Sequence, residues 1–198
     1  MRQENCTRCW LGETCRTACI WGEGPTPCKV MLVGEAPGAV EDLEGRPFIG
    51  EAGKLLDHIL GKLQVDRSSL YITNCIKCRP PDNELPSGEK LMQAWTACQY
   101  FFNQELLNVR PKVIVVMGDT AARLVGKSKR PINQVERLWL SRKIIAAYHP
   151  AFILRNPQYE YTLAEALFLA LRKAQVSVKG SRKIIKDYKL FPYRMSPQ

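Results

Sequence analysis

The sequence lacks the features that mark membrane, secreted and disulfide-rich proteins. No apolar run approaches the ~20 residues that a membrane-spanning helix needs. Residues 1–10 contain charges and two cysteines where a secretory signal has an apolar stretch. Eight cysteines in 198 residues are also too few for a disulfide scaffold. We therefore predict a cytoplasmic protein that makes no membrane contact.

Acidic residues are scarce as well, with 19 Asp and Glu against 29 Lys and Arg, which gives a net charge of +10. Such an excess attracts polyanions and favours nucleic acid over other partners, although it says nothing about base sequence. With 45% hydrophobic and 24% charged residues, the chain has a globular composition. We predict one domain over residues 1–175 and a basic tail over residues 176–198.

Apolar runs and amphipathic segments alternate along the chain. The runs that predict buried strands are Lys29–Val33, Leu70–Ile76, Val113–Met117 and Ile144–Ala147. Helical spacing is found at residues 55–63, in a long segment after Ser87, in a short segment ending at residue 124, and at residues 159–174. Strands that alternate with helices indicate an α/β protein with a parallel sheet covered on both faces.

The cysteines have the spacing of a metal site. Cys6-x2-Cys9 resembles a metal knuckle, while Cys78 follows a strand and Cys98 lies on the inner face of the next helix. Four thiolates suit zinc or an iron–sulfur cluster, and spacing alone does not choose between them. Cys75-x2-Cys78 is an alternative pair, although alternation along a strand favours Cys75 as a buried apolar residue. Buried free thiols throughout are a further interpretation. The cysteines without a predicted role are Cys15, Cys19 and Cys28.

Five motifs carry a resemblance to a known family. They are Gly34–Gly38, Gly45–Gly50, Tyr71–Asn74, Lys77–Pro81 and His149–Ala151, which read GEAPG, GRPFIG, YITN, KCRPP and HPA. With these motifs in the expected order, the chain resembles the family 4 (iron–sulfur) uracil-DNA glycosylases over about residues 5–172.

This resemblance implies a fold, a cofactor and an activity. The fold is a three-layer α/β/α sandwich with a four-stranded parallel sheet, and the cofactor is a [4Fe–4S] cluster on Cys6, Cys9, Cys78 and Cys98. The implied activity is that of a monofunctional DNA repair glycosylase, which hydrolyses the N-glycosidic bond of a flipped deoxyuridine and leaves an abasic site. We accordingly expect uracil-containing DNA as the partner and a monomeric protein, with a replication or repair protein as a further partner left open.

Three side chains are predicted to hold the flipped base. Phe48 offers a stacking platform. The Asn74 amide presents a donor and an acceptor that fit O4 and N3–H of uracil and mismatch cytosine, although an Asn can also simply close a strand end. His149 is predicted to donate to uracil O2 as negative charge develops there, in a protonation state that the sequence leaves open.

Other residues complete the predicted site. Glu35 and Glu41 are the candidates for orienting the attacking water. Single-motif glycosylases carry an Asp at the position that Ala36 occupies here. Gly34 and Ala36 belong to the turn predicted to meet the flipped nucleotide, and Arg155 is predicted to contact the flanking phosphates.

Two other functions remain open at this point. A non-catalytic iron–sulfur subunit of a replication or repair assembly would keep the fold, the cluster and the DNA binding. An electron carrier would keep the cluster but has no need of Phe48, Asn74 and His149 together.

Overall fold

Four short apolar runs form a parallel sheet at the centre of the molecule. The fold is described from a computed structural model, which covers residues 6–134 and 139–176. The strands are β1 (Val30–Gly34), β2 (Tyr71–Asn74), β3 (Val113–Met117) and β4 (Ile144–Ala147). Their order is β2-β1-β3-β4, and every neighbouring pair is parallel.

Helices connect the strands and cover both faces of the sheet. In the described residues they are α1 (Leu11–Thr14), α2 (Ala39–Glu44), α3 (Glu51–Lys62), α4 (Gly88–Val109), α5 (Asp119–Leu124), α6 (Pro150–Arg155) and α7 (Glu160–Lys173). Short 3-10 helices lie at Arg67–Ser69, Pro81–Asn83, Ile132–Gln134 and Pro157–Tyr159. None of the helices in this part of the chain is long and apolar enough to cross a membrane.

Alternation along each strand divides the core into two layers. Met31 and Val33 of β1 face the core that contains α4, α5 and the N-terminal segment, whereas Val30 and Leu32 face the core that contains α3 and α7. The sheet is thus buried on both sides, which explains why its strands read as continuous apolar runs in the sequence. The three-layer α/β/α fold with a four-stranded parallel sheet is confirmed.

The predicted elements match the structure closely, with three short helices omitted. The strand predictions agree to within two residues, and Ser87 lies at the start of α4 as predicted, although its hydroxyl makes no capping hydrogen bond there. The helices α1, α2 and α6 were not predicted; a segment of four to six residues shows little of a helical period. The predicted basic tail lies outside the described residues except for Val176.

The N-terminal segment is irregular and is fixed to the sheet by a buried carboxylate. Glu105 of α4 accepts a hydrogen bond from the backbone N–H of Gly22 at 2.7 Å, and Glu23 pairs with Ile72 of β2 through backbone hydrogen bonds. Glu105 also pairs with Lys77, whose Nζ lies 2.6 Å from its carboxylate. The segment is therefore held by polar contacts with α4 and β2 as well as by buried apolar side chains such as Leu11 and Ile20.

Candidate active site and cysteine cluster

A cavity of about 660 Å³ opens at the edge of the sheet where the strands end. Each strand contributes to its lining at its carboxyl end: Glu35 follows β1, Asn74 closes β2, Gly118 follows β3 and His149 follows β4. Ligands of parallel α/β sheets bind at this edge because the connecting loops diverge there. The topology alone therefore brings together residues that are far apart in the sequence.

Phe48 lines this cavity, and its ring packs directly on Gly34. The residue is 4% exposed, and its φ of +53° is a left-handed value that few non-glycine residues adopt. A Cβ at Gly34 would overlap both the Phe48 ring and the amide oxygen of Asn74, and a Cβ at Gly53 would overlap the Phe48 carbonyl. Gly34 therefore lies beneath the ring and the amide and allows them to approach each other.

Asn74 and His149 both present unpaired polar atoms. Asn74 is 3% exposed, and its Oδ1 is buried without a hydrogen-bond partner among the described residues. The Nε2 atom of His149 is likewise buried and unpartnered in that part of the chain. The His149 ring lies 5.6 Å from the Phe48 ring, centroid to centroid. Because an unpaired buried polar atom costs about 1–3 kcal/mol, these atoms mark a place built for a ligand.

The protonation state of His149 follows from its local geometry. His149 begins helix α6, and its Nδ1 accepts a hydrogen bond from the backbone N–H of Ala151 at 3.2 Å. Burial lowers the pKa of His149 to about 4; the Glu41 carboxylate opposes this shift and the Arg155 guanidinium adds to it. The ring is therefore neutral at pH 7, and its one proton is on Nε2, since Nδ1 is already an acceptor.

The two predicted carboxylates have different surroundings. Both oxygens of Glu41 are engaged, since the carboxylate accepts backbone hydrogen bonds from Gly38, Ile49 and Gly50 at 2.7–3.1 Å. Glu35 lines the cavity, and no hydrogen bond or ion pair of its carboxylate is found in the described residues. Glu41 thus holds the loop that carries Phe48, whereas Glu35 is available to a ligand.

The remaining predicted residues lie at the same cavity. Ala36 and Arg155 both line the cavity, and Arg155 is exposed at the end of α6. The contact of Arg155 with a phosphate stays a prediction.

All eight cysteines belong to or pack against one core, the one that includes α4, and the four predicted ligands are among them. Cys6, Cys78 and Cys98 are 2–7% exposed, and Cys9 packs against the same core. The backbone N–H of Cys19 donates to the sulfur of Cys78 at 3.2 Å, and that of Lys77 donates to the sulfur of Cys98 at 3.4 Å. Burial raises the pKa of the Cys98 thiol to about 11.

The other four cysteines make different contacts within the same core. The thiols of Cys75 and Cys28 donate to backbone carbonyls at 3.2–3.3 Å. Cys75 is fully buried in the apolar core, as predicted. Cys15 and Cys19 lie beside Cys78: the Cys15 and Cys78 thiols interact, and the Cys19 N–H donates to the Cys78 sulfur. Within the described ranges, no three such side chains converge on a single metal ion.

Comparison with known proteins settles the family. The family model for the uracil DNA glycosylase superfamily matches residues 21–172. A type-4 uracil-DNA glycosylase of Archaeoglobus fulgidus is 38% identical over 165 residues, which is 78% of this chain and 80% of that protein. Those of Thermotoga maritima and Sulfurisphaera tokodaii are 37% and 34% identical over 185 and 187 residues, which cover 90% and 88% of this chain and 92% and 82% of the two relatives. The chain belongs to the type-4 uracil-DNA glycosylases.

Type-4 uracil-DNA glycosylases are an iron–sulfur family, and the cysteine side of this structure is compatible with such a group. The donor set consists of thiols alone, and backbone N–H groups already point at two of its sulfurs. The indole N–H groups of Trp10 and Trp21, which pack against the same core, are buried without acceptors among the described residues. Donors in excess suit a cluster, because its sulfurs accept hydrogen bonds.

Lys77 is the residue of this type-4 uracil-DNA glycosylase that the sequence did not identify as important. Its side chain is 1% exposed, and its Nζ donates to Thr73 at 2.7 Å and to Glu105 at 2.6 Å. Lysine is almost never fully buried, so nothing in composition or spacing predicts this pair. The one signal was position, because Lys77 directly precedes Cys78 within the KCRPP motif.

Proposed function

We propose that this protein flips deoxyuridine out of DNA and hydrolyses its N-glycosidic bond, which releases uracil and leaves an abasic site. One observation carries the proposal: two buried polar atoms without partners, Asn74 Oδ1 and His149 Nε2, belong to the same cavity, beside the ring of Phe48. A flat base with polar atoms on its edges satisfies both atoms at once. Uracil-DNA glycosylase is also the activity named for the relatives.

Recognition of uracil rests on stacking and on one amide. A base stacked on an aromatic ring gains about 1–3 kcal/mol whatever its identity, so Phe48 provides affinity without discrimination. The Asn74 Oδ1 accepts from uracil N3–H, and its Nδ2 donates to O4. Cytosine has an acceptor at N3 and a donor at N4, so both groups of Asn74 would meet like partners and stay unpaired.

His149 acts on the leaving base. As the C1′–N1 bond breaks, its electron pair passes to the uracil ring and negative charge accumulates on O2. The Nε2–H of the neutral His149 donates to O2, and this hydrogen bond strengthens as the charge grows, so it stabilises the transition state more than the ground state. The Ala151 N–H on Nδ1 keeps the proton on the nitrogen that faces the cavity.

Glu35 is the residue we assign to the water. Water adds hydroxyl to C1′, and its proton is taken up by the carboxylate before passing to the released base. A carboxylate near C1′ also stabilises the positive charge that develops on the sugar. Glu41 contributes indirectly in this proposal, because its oxygens already bind the backbone of the loop that carries Phe48.

The cysteines have a structural role in this proposal. We propose Cys6, Cys9, Cys78 and Cys98 as the ligands of a [4Fe–4S] cluster. When bound, the cluster supplies coordination bonds that join the N-terminal segment to the loop after β2 and to α4. Arg155 and the net charge of +10 contribute binding to the DNA phosphates, a contribution that weakens with salt. The monomeric state, the cytoplasmic location, the limits of the domain and a contact with a replication or repair protein remain predictions.

The decisive experiment measures release of uracil from U:G, U:A and single-stranded oligonucleotides. We expect the parent protein to excise uracil, and we expect His149→Ala and Asn74→Ala to lower kcat/KM by about 100- to 1,000-fold, as loss of one transition-state donor typically does. Binding to an abasic-site oligonucleotide serves as the control for folding. A parent protein that binds DNA but releases no uracil would instead indicate the non-catalytic DNA-binding subunit.

A further inference from the structure

The cavity extends well beyond the three residues assigned to uracil. Its volume of about 660 Å³ is in the range that holds a drug-sized ligand, whereas uracil has only eight non-hydrogen atoms. The additional space is bounded by a second group of aromatic side chains, Tyr148, Phe152 and Tyr159, which also line the cavity. We call this space the aromatic compartment.

The three rings of the aromatic compartment form one continuous apolar wall. The Tyr148 and Phe152 rings are stacked at 4.9 Å and 15°, and the Tyr159 ring lies 4.7 Å from the first and 5.5 Å from the second. All three residues are partly exposed, whereas the core residue Phe101 is 2% exposed. This wall therefore retains accessible aromatic surface inside a cavity, which purely structural packing does not require.

Two features connect this wall to the uracil site. Tyr148 directly precedes His149 at the end of β4, so the aromatic compartment begins one residue away from the proposed catalytic imidazole. Phe152 and Arg155 are three residues apart on α6, a spacing that places side chains on the same helix face. An exposed cation thus lies beside the aromatic wall.

We propose that the aromatic compartment binds the nucleobase immediately next to the flipped deoxyuridine, stacked on Phe152 and Tyr159, while Arg155 contacts the phosphate between the two nucleotides. This inference rests on the proposed function. A nucleotide that leaves the stack exposes one face of its neighbour to water, and an aromatic side chain restores that lost stacking. Stacking does not depend on base identity, so any of the four bases is accepted.

The experiment removes the two stacking partners one at a time and together. Single-stranded oligonucleotides carry one deoxyuridine, with the base on its 5′ or its 3′ side either present or replaced by a tetrahydrofuran abasic residue. For the parent protein, removal of the base on one of the two sides should lower kcat/KM by about tenfold. For Tyr159→Leu and Phe152→Leu the same removal should have little further effect, because its partner is already gone.

The matched control is Tyr100→Leu, since Tyr100 is a half-exposed aromatic residue on α4 that does not line the cavity. This variant should keep the tenfold effect of the missing base. A direct readout places 2-aminopurine on either side of a uracil carried by 2′-fluoroarabinose, a sugar that resists hydrolysis. Its fluorescence should be quenched on one side when the parent protein or Tyr100→Leu binds, and much less when Phe152→Leu or Tyr159→Leu binds.

The outcomes separate this inference from the proposed function. If the parent releases uracil but a missing neighbour has the same effect on the parent and both variants, the aromatic compartment does not hold that base. If the parent releases no uracil, the proposed function fails, and the quenching still decides whether the compartment binds a base. Should Tyr159→Leu fail to fold, Phe152→Leu supplies the same comparison.

Discussion

Asn74 and Lys77 are buried polar residues three positions apart. One faces the cavity and the other the core that contains the cysteines, and they differ in whether their polar groups are paired. Both are at most 3% exposed. The amide oxygen of Asn74 faces the cavity and has no partner among the described residues, whereas Lys77 is bound to Thr73 and Glu105 at 2.6–2.7 Å. An unpaired buried atom lowers stability and is useful only when a ligand arrives, while a fully paired one holds the structure together.

The difference extends to the surroundings of each residue. On the cavity side, Gly34 has no side chain, which allows the Phe48 ring and the Asn74 amide to approach each other. On the cysteine side, the Glu105 carboxylate also accepts the Gly22 N–H, so one acidic side chain holds the N-terminal segment, β2 and the cysteine loop. Substitutions on the cysteine side should therefore lower stability more than activity, and substitutions on the cavity side should lower activity more than stability.

The largest effect is expected for the cysteine ligands. Cys98→Ala removes one of the four thiolates proposed for the cluster, so the purified protein should lose its iron and its brown colour and should unfold at a lower temperature. Cys75→Ala is the matched control, because Cys75 is equally buried but donates its thiol to the Glu35 carbonyl. Iron content, visible absorption and thermal unfolding check this prediction, and a Cys98→Ala protein with full iron content contradicts the ligand assignment.

The next effect concerns the buried ion pair. Lys77→Met leaves the Glu105 carboxylate buried without its cation, which should lower the free energy of unfolding by about 3–5 kcal/mol. The double variant Lys77→Met with Glu105→Gln should recover part of that loss, because the neutral amide would still accept the Gly22 N–H without leaving an unpaired charge. Urea unfolding measures both.

Asn74 should respond to substitution in the opposite way to Lys77. Asn74→Ala should leave the free energy of unfolding unchanged or raise it slightly, since the amide oxygen has no partner to lose among the described residues, while uracil release falls. The comparison between the two sides fails if Asn74→Ala destabilises the protein as much as Lys77→Met does.

Sequence reasoning predicted the sheet from local apolar patterns, and the family motifs pointed to residues that the structure places around one cavity. The four strands are apolar runs ending in Gly or polar residues, and parallel topology then places Asn74 and His149 at one edge. Sequence reasoning could not separate Glu35 from Glu41, because both are acidic residues of the segment between β1 and α3. Only the three backbone N–H groups that converge on Glu41 distinguish them. Lys77 was missed because its importance depends on Glu105, a partner that is far away in the sequence.

Glu35 and Glu41 allow the comparison to be tested within one short segment, since Glu35 follows β1 and Glu41 lies in α2. Glu35→Gln should lower kcat by about 100-fold, as loss of a general base does, with no change in thermal unfolding. Glu41→Gln should lower the free energy of unfolding by about 1–3 kcal/mol, because three backbone N–H groups lose a charged acceptor. Steady-state kinetics and calorimetry distinguish the two residues, and the assignment of the water to Glu35 is wrong if Glu41→Gln alone abolishes turnover in a fully folded protein.

The smallest effect is expected for pH, and it concerns His149. Its pKa is lowered from 6.5 to about 4 in the folded protein, so between these values the unfolded chain binds more protons than the folded one. His149 therefore reduces stability as the pH falls through this window, but its ring stays neutral and its Nε2–H remains available for catalysis.

The ratio of kcat/KM between the parent and His149→Ala should accordingly be constant from pH 8 to about pH 5 and should decline only near pH 4. This ratio cancels the titration of the carboxylates, which both proteins share. Nitrogen NMR of a His58→Gln protein, in which His149 is the only imidazole, should show a proton on Nε2 throughout, whereas a transition near pH 6.5 would mean that the ring is exposed and charged and that the electrostatic part of the mechanism is wrong.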